Sequence, residues 1–183
     1  MPINIEIKSR CNDFTVILDK LAHSLGITRI EMDQEDTFFN VPRGKLKMRC
    51  DKQGQCELIY YRRTSSHGIM TSSYHREILE KPEAKAKELQ DQYGVAVTVR
   101  KHRIAFISGD VRIHLDEVES LGRFLEVEIL ANRVEQRNSA KHLACQLIRV
   151  LGISRDELID ETYEDLLIRK REPYSAQQKD CVY

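Results

Sequence analysis

Five stretches of the chain carry ionisable side chains at every second position. Glu6, Lys8 and Arg10 do so in INIEIKSRC, Lys45, Lys47 and Arg49 in KLKMRC, and Lys101 and Arg103 in VAVTVRKHRIAF. Arg112, His114 and Asp116 follow in VRIHLDE, then Glu126 and Glu128 in FLEVEI. Lysine and arginine neutralise phosphate oxygens, while carboxylates hold Mg²⁺ or Mn²⁺, cations that take oxygen ligands and bridge to phosphate. Side chains two apart on a strand lie roughly 7 Å apart on one face, so Glu126 and Glu128 can serve one ion or two neighbouring ones. Acids and bases brought together would suit a polyphosphate with its divalent metal. Scattered over a surface, they would be solvated strand faces and nothing more.

The elements that carry these residues decide between the two. Alternation at period two marks strands at 3–11, 45–50, 57–63 and 95–107, and a strand pair between Val111 and Ile129 turns through Ser120–Gly122. A further strand spans 30–40, around DTFF. The polar run TSSHGIMTSS at 64–73 predicts a mobile loop or an irregular crossover, followed by a short strand over Tyr74–Leu79. Helical spacing appears at 13–25, with Phe14, Ile17, Leu18, Leu21 and Leu25 apolar, Asn12 or Asp13 as cap and Gly26 as stop. Pro82 opens a second helix that Gly94 ends. A third covers about 133–151, with Leu143, Leu147, Ile148 and Leu151 as its buried stripe. Ser154 and Glu157 read as a capping box for a fourth that runs towards Arg169.

The strands have aliphatic faces opposite their charged ones, and the amphipathic helices need a surface to cover. A closed antiparallel barrel, helices outside and charges inside, satisfies both. Buried unpaired ions cost several kcal/mol each, so a charge-lined barrel calls for an anion and a cation as occupants. The fold class expected is therefore α+β, a closed β-barrel with helices packed on the outside, as one domain over residues 1–171 and a flexible tail over 172–183.

Composition narrows the partners. Lys and Arg total 29, as do Asp and Glu, which argues against a nucleic-acid binder that works by net attraction. No apolar run approaches a membrane span and the N-terminus has no signal-peptide pattern, so a cytoplasmic protein with no membrane partner is expected. Of the cysteines at 11, 50, 56, 145 and 181, Cys50 and Cys56 flank a turn and could face each other, but two reduced thiols are the expectation in that compartment. Tyr60 and Tyr61 read as hairpin packing, although Tyr61 has the parity to line a tunnel. His67 and His75 lack partners at metal-ligand spacing. Tyr163 and Asp165 are expected to pin the last helix over the barrel mouth.

The motifs, taken in order, resemble the CYTH family of triphosphate tunnel enzymes, which includes class IV adenylate cyclases and thiamine triphosphatases. NIEIK at 4–8 is similar to the family's ExExK signature; DTFF, GKLKMR, LIYYRR, VRKHR, VRIHLDEVESLG, FLEVE and TYEDLL follow in family order over nearly the whole chain. The resemblance implies an eight-stranded antiparallel tunnel. It implies that Glu6, Glu126 and Glu128 bind Mg²⁺ or Mn²⁺, with Asp116 nearby. It also implies that Lys8, Lys47, Arg49, Arg63, Lys101, Arg103 and Arg112 contact phosphate, with Arg10, Lys45 and His114 as further candidates. Glu6, Lys8, Arg112, Asp116, Glu126 and Glu128 would then form the catalytic set. Asn4 stands where ExExK begins with glutamate, which removes one formal negative charge from the metal site. The implied reaction is conversion of ATP to cyclic AMP and pyrophosphate. Hydrolysis of an organic or inorganic triphosphate, or binding of a nucleotide or polyphosphate without turnover, are the alternatives. The protein would act as a monomer or homodimer.

Overall fold

A computed structural model describes residues 2–22, 26–133 and 135–171. Eight strands follow one another as β1 (Ile3–Arg10), β2 (Thr28–Phe39), β3 (Lys45–Asp51), β4 (Cys56–Ser66), β5 (Ile69–Ile78), β6 (Val95–Ser108), β7 (Val111–Val118) and β8 (Gly122–Ala131). They pair in the order β1-β5-β4-β3-β2-β6-β7-β8, and β8 pairs with β1 to close the barrel. Every ladder is antiparallel. The helices are α1 (Thr15–Ala22), α2 (Pro82–Tyr93), α3 (Gln136–Leu151) and α4 (Tyr163–Arg171).

Register puts the charged alternates of neighbouring strands on one side. Glu6 faces Glu128, Lys8 faces Glu126 and His114 faces Glu126, all within the barrel. The opposite face of β1, β7 and β8 carries Ile3, Ile5, Ile7, Ile113, Leu115, Leu125, Val127 and Ile129, and α1 and α3 cover it. Ala140 and Ala144 join Ile148 and Leu151 as the buried stripe of α3. The expected Leu143 and Leu147 are only partly buried beside it, because the alanines let the helix lie close to the sheet. A smaller cluster sets Leu89 of α2 against Phe39 and Leu46. Phe106 with Ile104, and Phe39, extend these apolar patches onto the ends of β6 and β2, while the middle of the β2–β6 outer wall shows Glu31, Asp33, Glu35, Arg100 and His102, cross-linked by ion pairs.

Inside, one end of the barrel is apolar. Phe38, Ile59, Tyr61, Val97, Val99, Val118 and Phe124 continue the inward rows, and Tyr163, Leu166 and Leu167 of α4 pack onto them. Burial of these side chains, each contributing roughly 1.5–3 kcal/mol, seats α4 as the closed floor of a cup.

Three expectations change. Residues 64–73 form no crossover: β4 and β5 meet in a two-residue turn at His67 and Gly68, both at positive φ (53° and 75°). That is the backbone of a tight hairpin, which the surrounding serines and threonines hid. The fourth helix is interrupted. Ser154 and Glu157 do form a capping box, but only over a 3₁₀ turn, Arg155–Glu157. The chain then extends, bridging Leu158 to Ser9 and donating the Ile159 N–H to the Lys8 carbonyl, and α4 begins after a second reciprocal cap between Thr162 and Asp165. Cys50 and Cys56 are joined as a disulfide rather than reduced, because the register sets them opposite each other with Cα atoms 4.2 Å apart. Asp13, of the two candidate caps, accepts from the Thr15 N–H at 2.8 Å. Leu25 and the tail over 172–183 lie outside the described residues.

Candidate active site in the barrel

The inward rows enclose a polar cavity of about 140 Å³ that opens to solvent at its mouth. Eight cationic side chains line it: Lys8, Lys47, Arg49, Arg63, Arg76, Lys101, Arg103 and Arg112. Four carboxylates share the wall: Glu6, Asp36, Glu126 and Glu128. β1 supplies Asn4, Glu6 and Lys8; β3 supplies Lys47 and Arg49; β6, β7 and β8 supply Lys101 and Arg103, Arg112, and the Glu126–Glu128 pair. Strand alternation brings residues that are far apart in sequence to one face, and barrel closure turns that face inward.

Most of these ions are held by specific partners. Both oxygens of Glu6 accept from Arg63 Nη2, at 2.8 and 2.7 Å. Asp36, 2 % exposed, accepts from Lys47 at 2.7 Å and from Arg49 at 2.6 and 2.7 Å. Arg103 donates twice to Asp116 at 2.6 Å and once to Glu126 at 2.7 Å. Lys101 reaches Asp116 at 3.2 Å, and the Tyr163 hydroxyl donates to the same oxygen at 3.0 Å. Lys8 Nζ lies 3.5 Å from Glu126 and 4.2 Å above the Tyr163 ring. Arg112 lines the cavity with no ion pair among the described residues.

These contacts shape the protonation states. Burial pushes the Glu6 carboxyl up to about 7, against the pull of Arg63. Burial also works to raise Asp36, Asp116 and Glu126, but their cations outweigh it and hold all three below the ordinary carboxylate range. Lys101 is lowered to about 8 by burial and by the neighbouring Arg103, more than Asp116 restores.

His114, Glu126 and Glu128 each offer one ligand atom, all within 4.8 Å of one another. Asn4 Oδ1 is buried with no hydrogen-bond partner. A convergent nitrogen and carboxylate set beside an unsatisfied amide oxygen fits a divalent cation.

The sequence of this barrel matches a known pattern: a profile of the CYTH domain covers residues 2–163. The chain belongs to the CYTH domain family. Members of this family are adenylate cyclase-like or triphosphatase enzymes. The chain is 25 % identical over 174 residues to a Methanocaldococcus jannaschii protein named "Putative adenylate cyclase MJ0240", a match that covers 90 % of this chain and 98 % of that one. The PH1012 structure from Pyrococcus horikoshii superimposes with a TM-score of 0.77 at 25 % identity, over 89 % of this chain and 98 % of that one. A Hippeastrum protein described as having a dominant triphosphatase activity has the same fold, with a TM-score of 0.63 at 16 % identity over 93 % and 96 % of the two chains.

Within this CYTH barrel most of the expected residues converge. Glu6, Lys8, Lys47, Arg49, Arg63, Lys101, Arg103, Arg112, Glu126 and Glu128 line the cavity. His114 sits behind the wall against Glu126 and Glu128, at 3.5 and 3.9 Å. Three residues are placed elsewhere. Asp116 is fully buried beneath Arg103 and Lys101. Lys45 ties β3 to Glu164 and Asp165 of α4, at 2.9 and 2.8 Å. Arg10 is exposed, donates to the Leu121 carbonyl and lies over the Phe124 ring.

Asp36, Ser72, Tyr74, Arg76, Thr162 and Tyr163 also line the cavity and were not singled out as site residues. Asp36 had a signal, since it alternates with Phe38 along β2. Ser72 had none, because the hairpin that turns it inward was not legible.

Proposed function

We propose that the cavity binds the triphosphate of a nucleoside triphosphate or another polyphosphate together with Mg²⁺ or Mn²⁺, and acts on it. The excess of eight cations over four carboxylates on one enclosed wall carries this reading. Cations crowded at low dielectric repel one another, and a polyanion relieves that cost. Arg112, without an ion pair among the described residues, and Arg63 and Lys8, each shared with a carboxylate, are the donors best placed to turn towards phosphate oxygens. Glu126 and Glu128 would hold the metal ion, which when bound lowers the pKa of a coordinated hydroxyl or water and neutralises charge on the leaving group.

The leading reading is the cyclase one: the ribose 3′-hydroxyl attacks the α-phosphorus, and the bond to pyrophosphate breaks. Similarity to the methanogen protein along nearly all of both chains supports it. The floor formed by α4 supports hydrolysis as a second reading. With one end sealed, a triphosphate that enters through the mouth leads with its terminal phosphate, which places that phosphorus deepest among the acids and bases. ATP offered with Mg²⁺ or Mn²⁺ separates the two: cyclic AMP and pyrophosphate in the first case, ADP and phosphate in the second. Absence of both binding and turnover with ATP and with inorganic tripolyphosphate would sink the proposal.

A further inference from the structure

The wall of the cavity is divided by strand. β1, β3, β6, β7 and β8 line it with ionisable or amide side chains only, from Asn4, Glu6 and Lys8 to Glu126 and Glu128. β4 and β5 differ: between Arg63 and Arg76 they present Ile59, Tyr61 and Tyr74. Register sets Tyr61 opposite Tyr74 and Ile59 opposite Arg76, so these four share one face. The β1–β5 ladder ends at Ile3 and Ser73, and past the bond from the Tyr74 N–H to the Pro2 carbonyl β5 pairs with β4 alone. The segment that leads into the α4 floor meets β1 at its other end, at Lys8 and Ser9, so Tyr74 and Arg76 stand on the side away from the floor. Ile78, two residues further along the row, is 70 % exposed. The Tyr61 ring is already engaged, with Lys47 and Arg63 at 6.0 and 5.8 Å from its centroid, whereas Tyr74 has no such cation among the described residues. Arg76, its side chain 53 % exposed, directs Nε and Nη2 at one Glu57 oxygen, at 2.7 and 2.5 Å. An ion pair this exposed is weak, and Arg76 leaves it at little cost.

We propose that the β4–β5 wall is the subsite for the organic group of the substrate, a planar aromatic heterocycle of the nucleobase kind, and that Tyr74 and Arg76 determine this specificity. The inference rests on the reading of the cavity as a polyphosphate site and states what the polyphosphate carries. The enclosed volume of about 140 Å³ is below the roughly 300–1,000 Å³ of sites that take in a whole ligand, so the phosphate chain fills it and the organic group lies towards the mouth. The charged strands are a poor surface for a ring there, because covering their ions removes water that the ring does not replace. Ile59 and Tyr74 carry no charge, and the tyrosine face stacks on a heterocycle. Arg76, swung away from Glu57, lays its planar guanidinium against the same ring and keeps its charge close to the nearest phosphate. Ile78 continues the apolar strip where the ring would otherwise meet water. The wall offers faces rather than a pattern of donors and acceptors, so it selects planarity and not one particular base.

The test is calorimetry on the full chain with divalent ions chelated, so that no turnover intervenes. The two probes are ATP and methyl triphosphate, which carry the same charge on the triphosphate and differ in the organic group. The wild-type chain should bind ATP about tenfold more tightly than methyl triphosphate. Tyr74→Leu, which keeps the bulk and loses the ring, should cut that ratio by about tenfold. Arg76→Lys, which keeps the charge and loses the plane, should cut it by about threefold. Arg112→Ala should weaken both ligands together and leave the ratio in place. If Tyr74→Leu does not fold, Arg76→Lys decides, because its side chain is half exposed. Equal wild-type affinity for the two probes, or a ratio that either folded variant leaves unmoved, overturns the subsite while the anion cavity stands. If neither probe binds the wild-type chain, the anion cavity falls and the subsite falls with it.

Discussion

At Lys101 two influences oppose each other. Burial and the Arg103 charge favour the neutral amine, Asp116 favours the ammonium, and the outcome is a pKa of about 8. In the ligand-free protein this lysine is charged below that value and neutral above it, whereas in the unfolded chain it keeps its proton to about 10.4. Between those values the unfolded chain binds more protons, so this group makes stability rise with pH across that window. Its effect on anions has the opposite sign. Affinity for tripolyphosphate, measured by calorimetry, should weaken as pH rises through about 8, and Lys101→Arg should remove that step because arginine stays charged. A wild-type profile flat to pH 9 would show that Lys101 does not meet the anion. Glu126→Gln and Glu128→Gln should each abolish metal-dependent turnover while circular dichroism and melting stay close to wild type. Loss of the fold instead would make these carboxylates structural.

The β4–β5 hairpin and the segment after α3 depend on each other. A Cβ on Gly68 would lie 2.7 Å from Leu158 Cβ, at a backbone φ of +75° that disfavours side chains. Leu158 in turn anchors the extended stretch that bridges to Ser9 and leads into α4. Gly68→Ala should therefore destabilise the protein by about 1–3 kcal/mol, read from a denaturant midpoint. Unchanged stability would mean that the 158–162 segment yields easily and does not fix the floor. The floor also has a polar side: Tyr163 donates to Asp116 and Lys45 pairs with Glu164 and Asp165, so α4 is tied both to the cation layer and to the barrel rim.

For the molecule as a whole, the cavity stores repulsion that an anion relieves. Tripolyphosphate at a hundredfold its dissociation constant should stabilise the fold by about 2.7 kcal/mol, visible as a concentration-dependent rise in melting temperature. No rise with any triphosphate would count against the cup as an anion site. The same view explains the split surface. Helices lie where the strands are greasy outside, over β1, β7 and β8 and at Phe39 and Leu46, while the middle of the β2–β6 wall stays uncovered because its outer residues there are charged. Among the described residues no helix is long and apolar enough to cross a membrane.

Alternation of charge with aliphatic side chains on β1, β3, β6, β7 and β8 was legible along the chain, and it requires two-faced strands whatever their neighbours. Helix starts and stops at Asp13, Pro82 and Gly94 were legible for the same reason, since capping acts over a few residues. Partnership was not. That Arg63 holds Glu6 from 57 positions away, that Asp116 serves Arg103 and Lys101 from beneath the wall, and that Glu128 is left with His114 and Asn4 depend on strand order and register, which join residues far apart along the chain. Local pattern sets which face a side chain takes. Only closure of the barrel decides which opposite charge it meets, because Coulomb energy depends on distance through space and not along the chain.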